Sequence, residues 1–158
     1  MSYCLNPACP SPQNSRFDQS CQTCGSSLLL AKRYRALKRL GQGGFGITYL
    51  AVDESYELKP QCVIKLFQPQ TLNPDLKEKA SQLFEQEARR LSLLGHHPQI
   101  PAFLDYINQG NNYYLIQEFI HGPNLAQCLS QKESFTEQEV YELLKSLLQV
   151  LDFIHQNH

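Results

Sequence analysis

Two groups of residues in this chain have types and spacings that can do chemistry. The first is Gly41-Gln42-Gly43-Gly44-Phe45-Gly46, a G-x-G-x-x-G run. Glycines at that spacing let a backbone approach phosphates that side chains would hold away. The second is four cysteines, Cys4, Cys9, Cys21 and Cys24, in a segment otherwise rich in Pro, Ser, Asn and Gln. Two cysteine pairs supply four soft ligands for a closed tetrahedral zinc site, with Gly25 relieving the backbone after the second pair. The segment has too few large apolar side chains for a core of its own and needs such a staple. Two alternatives stand beside zinc: a pair of disulfides, which would require export to an oxidising compartment, and a disordered tail with incidental cysteines. The Cys4 to Cys9 spacing is looser than the usual C-x2-C, yet zinc is the reading that accounts for all four thiols.

The residues after the glycines narrow their use. A dinucleotide-binding fold would open a helix there, with an acidic residue about 20 positions on. Ile47-Thr48-Tyr49-Leu50-Ala51-Val52 is instead β-branched and aromatic and predicts a strand. A Walker loop would need a Lys before Thr48, and Ile47 stands there. What remains is strand, glycine loop, strand. An ordinary glycine-rich hairpin would have the same composition, so the decision passes to residues further along.

A second strand is predicted at Cys62-Val63-Ile64-Lys65-Leu66-Phe67 after the turn at Pro60. Its one Lys must reach solvent or find an anion, because burying an unpaired ammonium is costly. The next apolar periodicity supplies a partner. In residues 75–95, Leu76, Ala80, Leu83, Phe84, Leu91 and Leu94 recur at helical steps and define one stripe. Advancing roughly 100° per residue places Glu87 within that stripe and Glu78 and Glu85 opposite. An inward Glu requires a cation, and Lys65 is the nearest candidate; a stripe-edge Glu that reaches water is the alternative.

Glycine loop, strand Lys and helix Glu in this order resemble the small lobe of a eukaryotic-type protein kinase, and a four-Cys segment before such a lobe resembles a bacterial, particularly cyanobacterial, Ser/Thr kinase arrangement. The resemblance extends through His97-Pro98-x-Ile100-Pro101, the hairpin signal at Asn108 to Asn112, and Tyr113 to Leu125, which is similar to the last small-lobe strand and hinge. It covers roughly residues 34 to 158. It implies an ATP site in which Gly41, Gly43, Gly44, Phe45 and Gly46 cover the phosphates, Lys65 holds them and Glu87 orients Lys65. Leu40, Thr48 and Val63 would roof the adenine, Gln117 would be the gatekeeper, and Glu118 to Ile120 would offer hinge backbone groups. Thr48 stands where the family usually has Val, and Val63 where it usually has Ala, which narrows or slightly polarises the roof.

A third departure is larger. The family's H-R-D catalytic loop with its Asn, and the D-F-G Asp, which bring the hydroxyl-orienting carboxylate and the magnesium ligands, have no counterpart here. Asp152-Phe153 is followed by Ile154 and sits in a predicted helix. That helix opens with a capping box, Thr136 to Glu139, and carries apolar residues over more than one face from Val140 to Ile154. Such a helix expects to be covered, and the resemblance places the catalytic loop just beyond His158.

The expected architecture is therefore α+β: a zinc-ribbon-like segment over residues 1–30, and a kinase small lobe with hinge over 31–120. The lobe would be a five-stranded antiparallel sheet with one helix, and residues 121–158 would begin the large lobe. The complete protein would phosphorylate Ser or Thr on protein substrates with ATP and magnesium. The alternatives are a regulatory half-kinase whose last helix docks a partner, and a zinc-knuckle nucleic-acid binder using the basic run Lys32, Arg33, Arg35, Lys38 and Arg39. A solvated linker and first strand is the simpler account of that run. A net charge of -1 gives no general case for nucleic acid. No run is long and apolar enough for a membrane span, and a cytoplasmic location is the default expectation. Cys62 and Cys128 read as packed thiols.

Overall fold

The computed structural model describes residues 1–44, 46–67, 74–94, 97–109, 112–132 and 134–157, with the side chains of 74–78, 80 and 81 excepted. Phe45, the Gly110-Asn111 tip of the hairpin signal, and the side chains of Leu76, Glu78 and Ala80 thus lie outside the described residues.

The cysteine segment folds around a two-stranded antiparallel pair, β1 (Ser2–Tyr3) and β2 (Gln13–Asn14). A six-stranded sheet comes next, in the order β3 (Leu29–Leu30), β4 (Tyr34–Gly43), β5 (Gly46–Asp53), β6 (Gln61–Phe67), β8 (Asn112–Glu118), β7 (Phe103–Gln109). The five long strands are those expected. The sixth, Leu29–Leu30, pairs with Tyr34 and Arg35 and ties the cysteine segment to the sheet edge. Helix α1 (Pro74–Leu93) links β6 to β7, and α2 (Leu125–Ser130) and α3 (Glu137–Gln156) come after the sheet. Both later helices begin with capping boxes, on Asn124 and Thr136, that satisfy the free N–H groups of their first turns.

Strand alternation sorts the sheet into two faces. The register pairs Thr48 with Lys65, Lys65 with Leu115, Leu50 with Val63, and Val63 with Gln117, so these residues share one face. Phe67 and Leu115, on that same face, pack with Phe84 and Ala88 of α1. The opposite face carries Ile47, Tyr49, Ala51, Cys62, Ile64, Leu66, Tyr114 and Ile116, and these form one core with Leu5 and Leu30, against which Tyr3 packs. The cysteine module thus backs the sheet while α1 covers its front.

Two expectations from the sequence need correction. Leu83, assigned to the buried stripe of α1, is 58% exposed, whereas Ala88 is buried. Leu83 stands one turn before Glu87 and faces an open cleft. The basic run is not uniformly a solvated face. Arg35 is 3% exposed, and Arg33 lies beside Asp53 with Nη2 2.6 Å from the carboxylate. Lys32, Lys38 and Arg39 remain exposed or partly exposed.

Candidate functional site

The glycine run occupies the tip of the β4–β5 hairpin, where Gly43 pairs with Gly46. A Cβ added at Gly41, Gly43 or Gly44 would meet nothing within 4 Å. Packing inside the chain therefore does not demand glycine at these positions, and the open space they leave is what a phosphate-bearing ligand needs. Gly46 differs, because its φ of 155° is one that L side chains rarely adopt.

Beneath the hairpin tip and in front of α1 lies a cleft of about 420 Å³, lined in part by Gly43, Gly44, Gly46, Thr48, Lys65, Leu83, Phe84 and Glu87. Lys65 Nζ stands 2.9 Å from Glu87 Oε1, with the two side chains 39% and 45% exposed. Lys65 reaches the cleft because alternation turns it to the same face as Thr48, directly across the β5–β6 ladder. Glu87 meets it from α1, which Phe84 and Ala88 anchor to the sheet one turn earlier and one residue later. The pair is half-exposed, so the ammonium keeps access to a ligand entering the cleft.

The remaining adenine-side residues divide. Val63 and Gln117 pair across β6–β8 on the same face as Lys65 but do not line the cleft. Leu40 is exposed at an irregularity between Arg39 and Gly41, and Ile120 is exposed after β8. Glu118 donates its backbone N–H to the Ala102 carbonyl at 2.9 Å, and its carboxylate accepts from the Ala102 N–H at 3.1 Å. Of the expected hinge groups, that Glu118 N–H is therefore already committed within the chain. Phe67 and Phe84, 5.1 Å apart between ring centroids, support the cleft floor. The sequence reading gave neither a role at the site; Phe84 was legible as a stripe residue, but which residues meet it across the sheet was not.

The four cysteine sulfurs of the N-terminal module lie within 4.8 Å of one another. Cys4 and Cys24 are 3.6 Å apart, as are Cys9 and Cys21. Four sulfurs about 2.3 Å from a tetrahedral ion would stand about 3.8 Å apart, so the cluster has the dimensions to hold a metal. All four are unbridged thiols. Burial pushes the Cys4 thiol well up. The Ser26 hydroxyl, facing Cys24 Sγ at 3.3 Å, and the Ser26 N–H bring Cys24 down to about 6. The Cys24 backbone N–H and the Asn14 amide lower Cys21, although burial opposes them. The Asn14 side chain donates to both Cys21 Sγ and the Pro12 carbonyl and accepts from the Gln22 N–H. Such a buried amide among cysteines has no periodicity to announce it.

The family description "Protein kinase domain" matches residues 34–158. The chain belongs to the protein kinase family. Serine/threonine-protein kinase B of Synechocystis sp. is 45% identical over 155 residues, which cover 98% of this chain and 27% of that protein. Serine/threonine-protein kinase PknA of Nostoc sp. is 37% identical over 128 residues, 80% of this kinase chain and 23% of that one. A solved structure described as "PpkA-294 apo form" superposes with a TM-score of 0.67 at 28% identity, over 78% of this chain and 49% of its own. The chain thus spans about a quarter of the length of these two curated kinases. Among the described residues no helix is long and apolar enough to cross a membrane.

Proposed function

We propose that this chain is the ATP-binding portion of a protein serine/threonine kinase. The observation that carries the reading is the Lys65–Glu87 pair at 2.9 Å on the wall of a cleft roofed by glycines. In it, Gly41, Gly43, Gly44, Phe45 and Gly46 cover the phosphates, Lys65 Nζ holds their oxygens, and Glu87 keeps the ammonium aimed at them. Leu40, Thr48 and Val63 sit over the adenine, Gln117 guards the back of its pocket, and the Glu118 carbonyl and Ile120 backbone meet its edge. Magnesium, when bound, would neutralise charge on the phosphates, and the family's magnesium-ligand motifs have no counterpart among these 158 residues. A fluorescent ATP analogue titrated into the chain tests this. Saturable binding that Lys65→Met weakens at least about tenfold is expected, as for loss of a charge-assisted contact. Binding that Lys65→Met leaves unchanged would contradict it.

The metal of the cysteine cluster, on this reading, is a structural zinc held by Cys4, Cys9, Cys21 and Cys24. Four thiolates leave no open position for a substrate, so its contribution is to folding. The domain limits that go with the reading are 1–30, 31–120 and 121–158.

A second reading, in which the chain also docks a partner, is favoured by α3. Val140, Leu144, Leu147, Leu148 and Leu151 are all exposed. Either further large-lobe residues or another protein would cover them, and concentration-dependent assembly into a defined complex would support the latter over simple aggregation. Nucleic-acid binding has less support, because Arg33 and Arg35 of the basic run are engaged with Asp53 and Glu54.

A further inference from the structure

The cysteine module and the nucleotide cleft share one structural element. The β4–β5 hairpin carries the glycines at its tip and meets the module along its length. Tyr3 and Leu5 make that contact: the Tyr3 ring lies 5.6 Å from the Tyr49 ring, and Leu5 enters the core that contains Ile47 and Tyr49. Both residues flank Cys4, a member of the thiol cluster, so the backbone that delivers a ligand to the metal also delivers these side chains to the sheet. Ile47 and Tyr49 in turn alternate with Thr48, which lines the cleft on the other face.

Arg35 fixes the same contact from the hairpin's base. Its guanidinium donates to Ser2 Oγ at 3.2 Å and to the Asp18 carbonyl at 2.8 Å, both in the module. It also donates to Glu54 Oε1 at 2.8 Å, at the end of β5. A buried guanidinium with all of these partners is costly to strand, so module and hairpin are held as one piece. The module's own apolar interior is small: Cys4, Cys21 and Leu28, with Cys9 against them. Without a metal it has little else to keep Tyr3 and Leu5 in place.

We infer that metal occupancy of the four-cysteine cluster and nucleotide occupancy of the glycine-roofed cleft are thermodynamically coupled, each strengthening the other through Tyr3, Leu5 and Arg35. These three are positioning residues: they touch neither ligand, and act by holding the strands from which the glycine loop extends. This rests on the nucleotide-binding reading above. By linkage, the factor by which a nucleotide raises metal affinity equals the factor by which metal raises nucleotide affinity.

The test uses the whole chain loaded with zinc. Zinc affinity is measured by competition against a zinc-selective chelator, with and without a saturating non-hydrolysable ATP analogue whose binding is first established by titration. The analogue should raise zinc affinity at least about fivefold, at the lower end of typical coupling between sites. Tyr3→Leu, which keeps an apolar side chain, and Arg35→Met should retain one zinc and bind the analogue, with the coupling factor falling toward one. Equal zinc affinity with and without bound analogue would overturn the coupling while leaving the nucleotide site intact. Full coupling retained in both variants would overturn the route assigned to it. A chain that binds no analogue at all would remove the nucleotide reading, and this inference with it.

Discussion

Replacing Cys21 by Ser should unfold the cysteine module and leave the sheet standing. Cys21 is 3% exposed and belongs to the sulfur cluster, so Cys21→Ser removes one of the four sulfurs proposed to hold the metal, without freeing space for a substitute. Structural zinc contributes roughly 10–16 kcal/mol of apparent binding free energy in peptide systems. That is comparable with the whole stability of a small domain, about 5–15 kcal/mol, and the module's interior of Cys4, Cys21 and Leu28 is far smaller than a domain core. The sheet loses less. Leu5 is one of the buried residues the module contributes to its back face, worth about 1.5–3 kcal/mol. Elemental analysis should find about one zinc per chain, from the four-ligand count, and none in the variant. Hydrogen exchange locates the effect. The amides of Cys4, Cys21 and Leu28, bonded to the carbonyls of Pro12, Ser26 and Gln19, should lose protection on Cys21→Ser or chelation. The amides of β6 and β8 should keep most of theirs. A metal-free chain whose Cys4, Cys21 and Leu28 amides remain protected would refute the argument.

Other outcomes are set by particular contacts. Burial alone would raise the Asp53 carboxyl, but Arg33 and Ser55 hold it below its ordinary value of 3.8. The stabilisation is therefore present above about pH 4 and lost as pH falls through the lowered folded value. Asp53→Asn should cost about 1.5–3 kcal/mol at pH 7 for a hydrogen bond to a charged group, and urea melts of the two proteins should converge in acid. Tested alone with labelled ATP, the 158-residue chain should transfer no phosphate above a Lys65→Met control, because the hydroxyl-orienting Asp and magnesium ligands of the family have no counterpart in it. Robust Lys65-dependent transfer would require another source of those groups.

The glycine hairpin, the strand bearing Lys65 and the helix bearing Glu87 were legible because each arises from local pattern. β-Branched residues after the glycines specify a strand, and helical spacing specifies which carboxylate turns toward the sheet. The same spacing misassigned Leu83, since periodicity identifies the face of a helix but not whether a neighbour covers all of it. Here Phe84 and Ala88 are covered, while Leu83 and Glu87 look into the cleft. The basic run misled for a related reason. Charge along the sequence gives no account of partners distant in sequence, and Arg35 finds Ser2, Asp18 and Glu54 only once the module folds back on β4. Nor did the cysteine spacing disclose that Tyr3 and Leu5, on either side of a thiol, complete the back of the sheet. Four ligands predict a staple, but not the surface against which the stapled segment packs.

The pairing of Lys65 with Glu87 at the cleft is the point on which the nucleotide reading turns, and a double-mutant cycle on ATP-analogue affinity measures it. Both side chains are half-exposed at 2.9 Å, so water screens their attraction and a coupling energy of about 1 kcal/mol is expected. Lys65→Met should weaken binding most, Glu87→Gln less, and the double variant by less than the sum. Glu85→Gln, whose carboxylate is 3.6 Å from Arg89 on the exposed side of α1, is the control and should change little. Strictly additive losses, or a Glu85→Gln effect as large as that of Glu87→Gln, would mean that Glu87 does not hold Lys65 for the nucleotide.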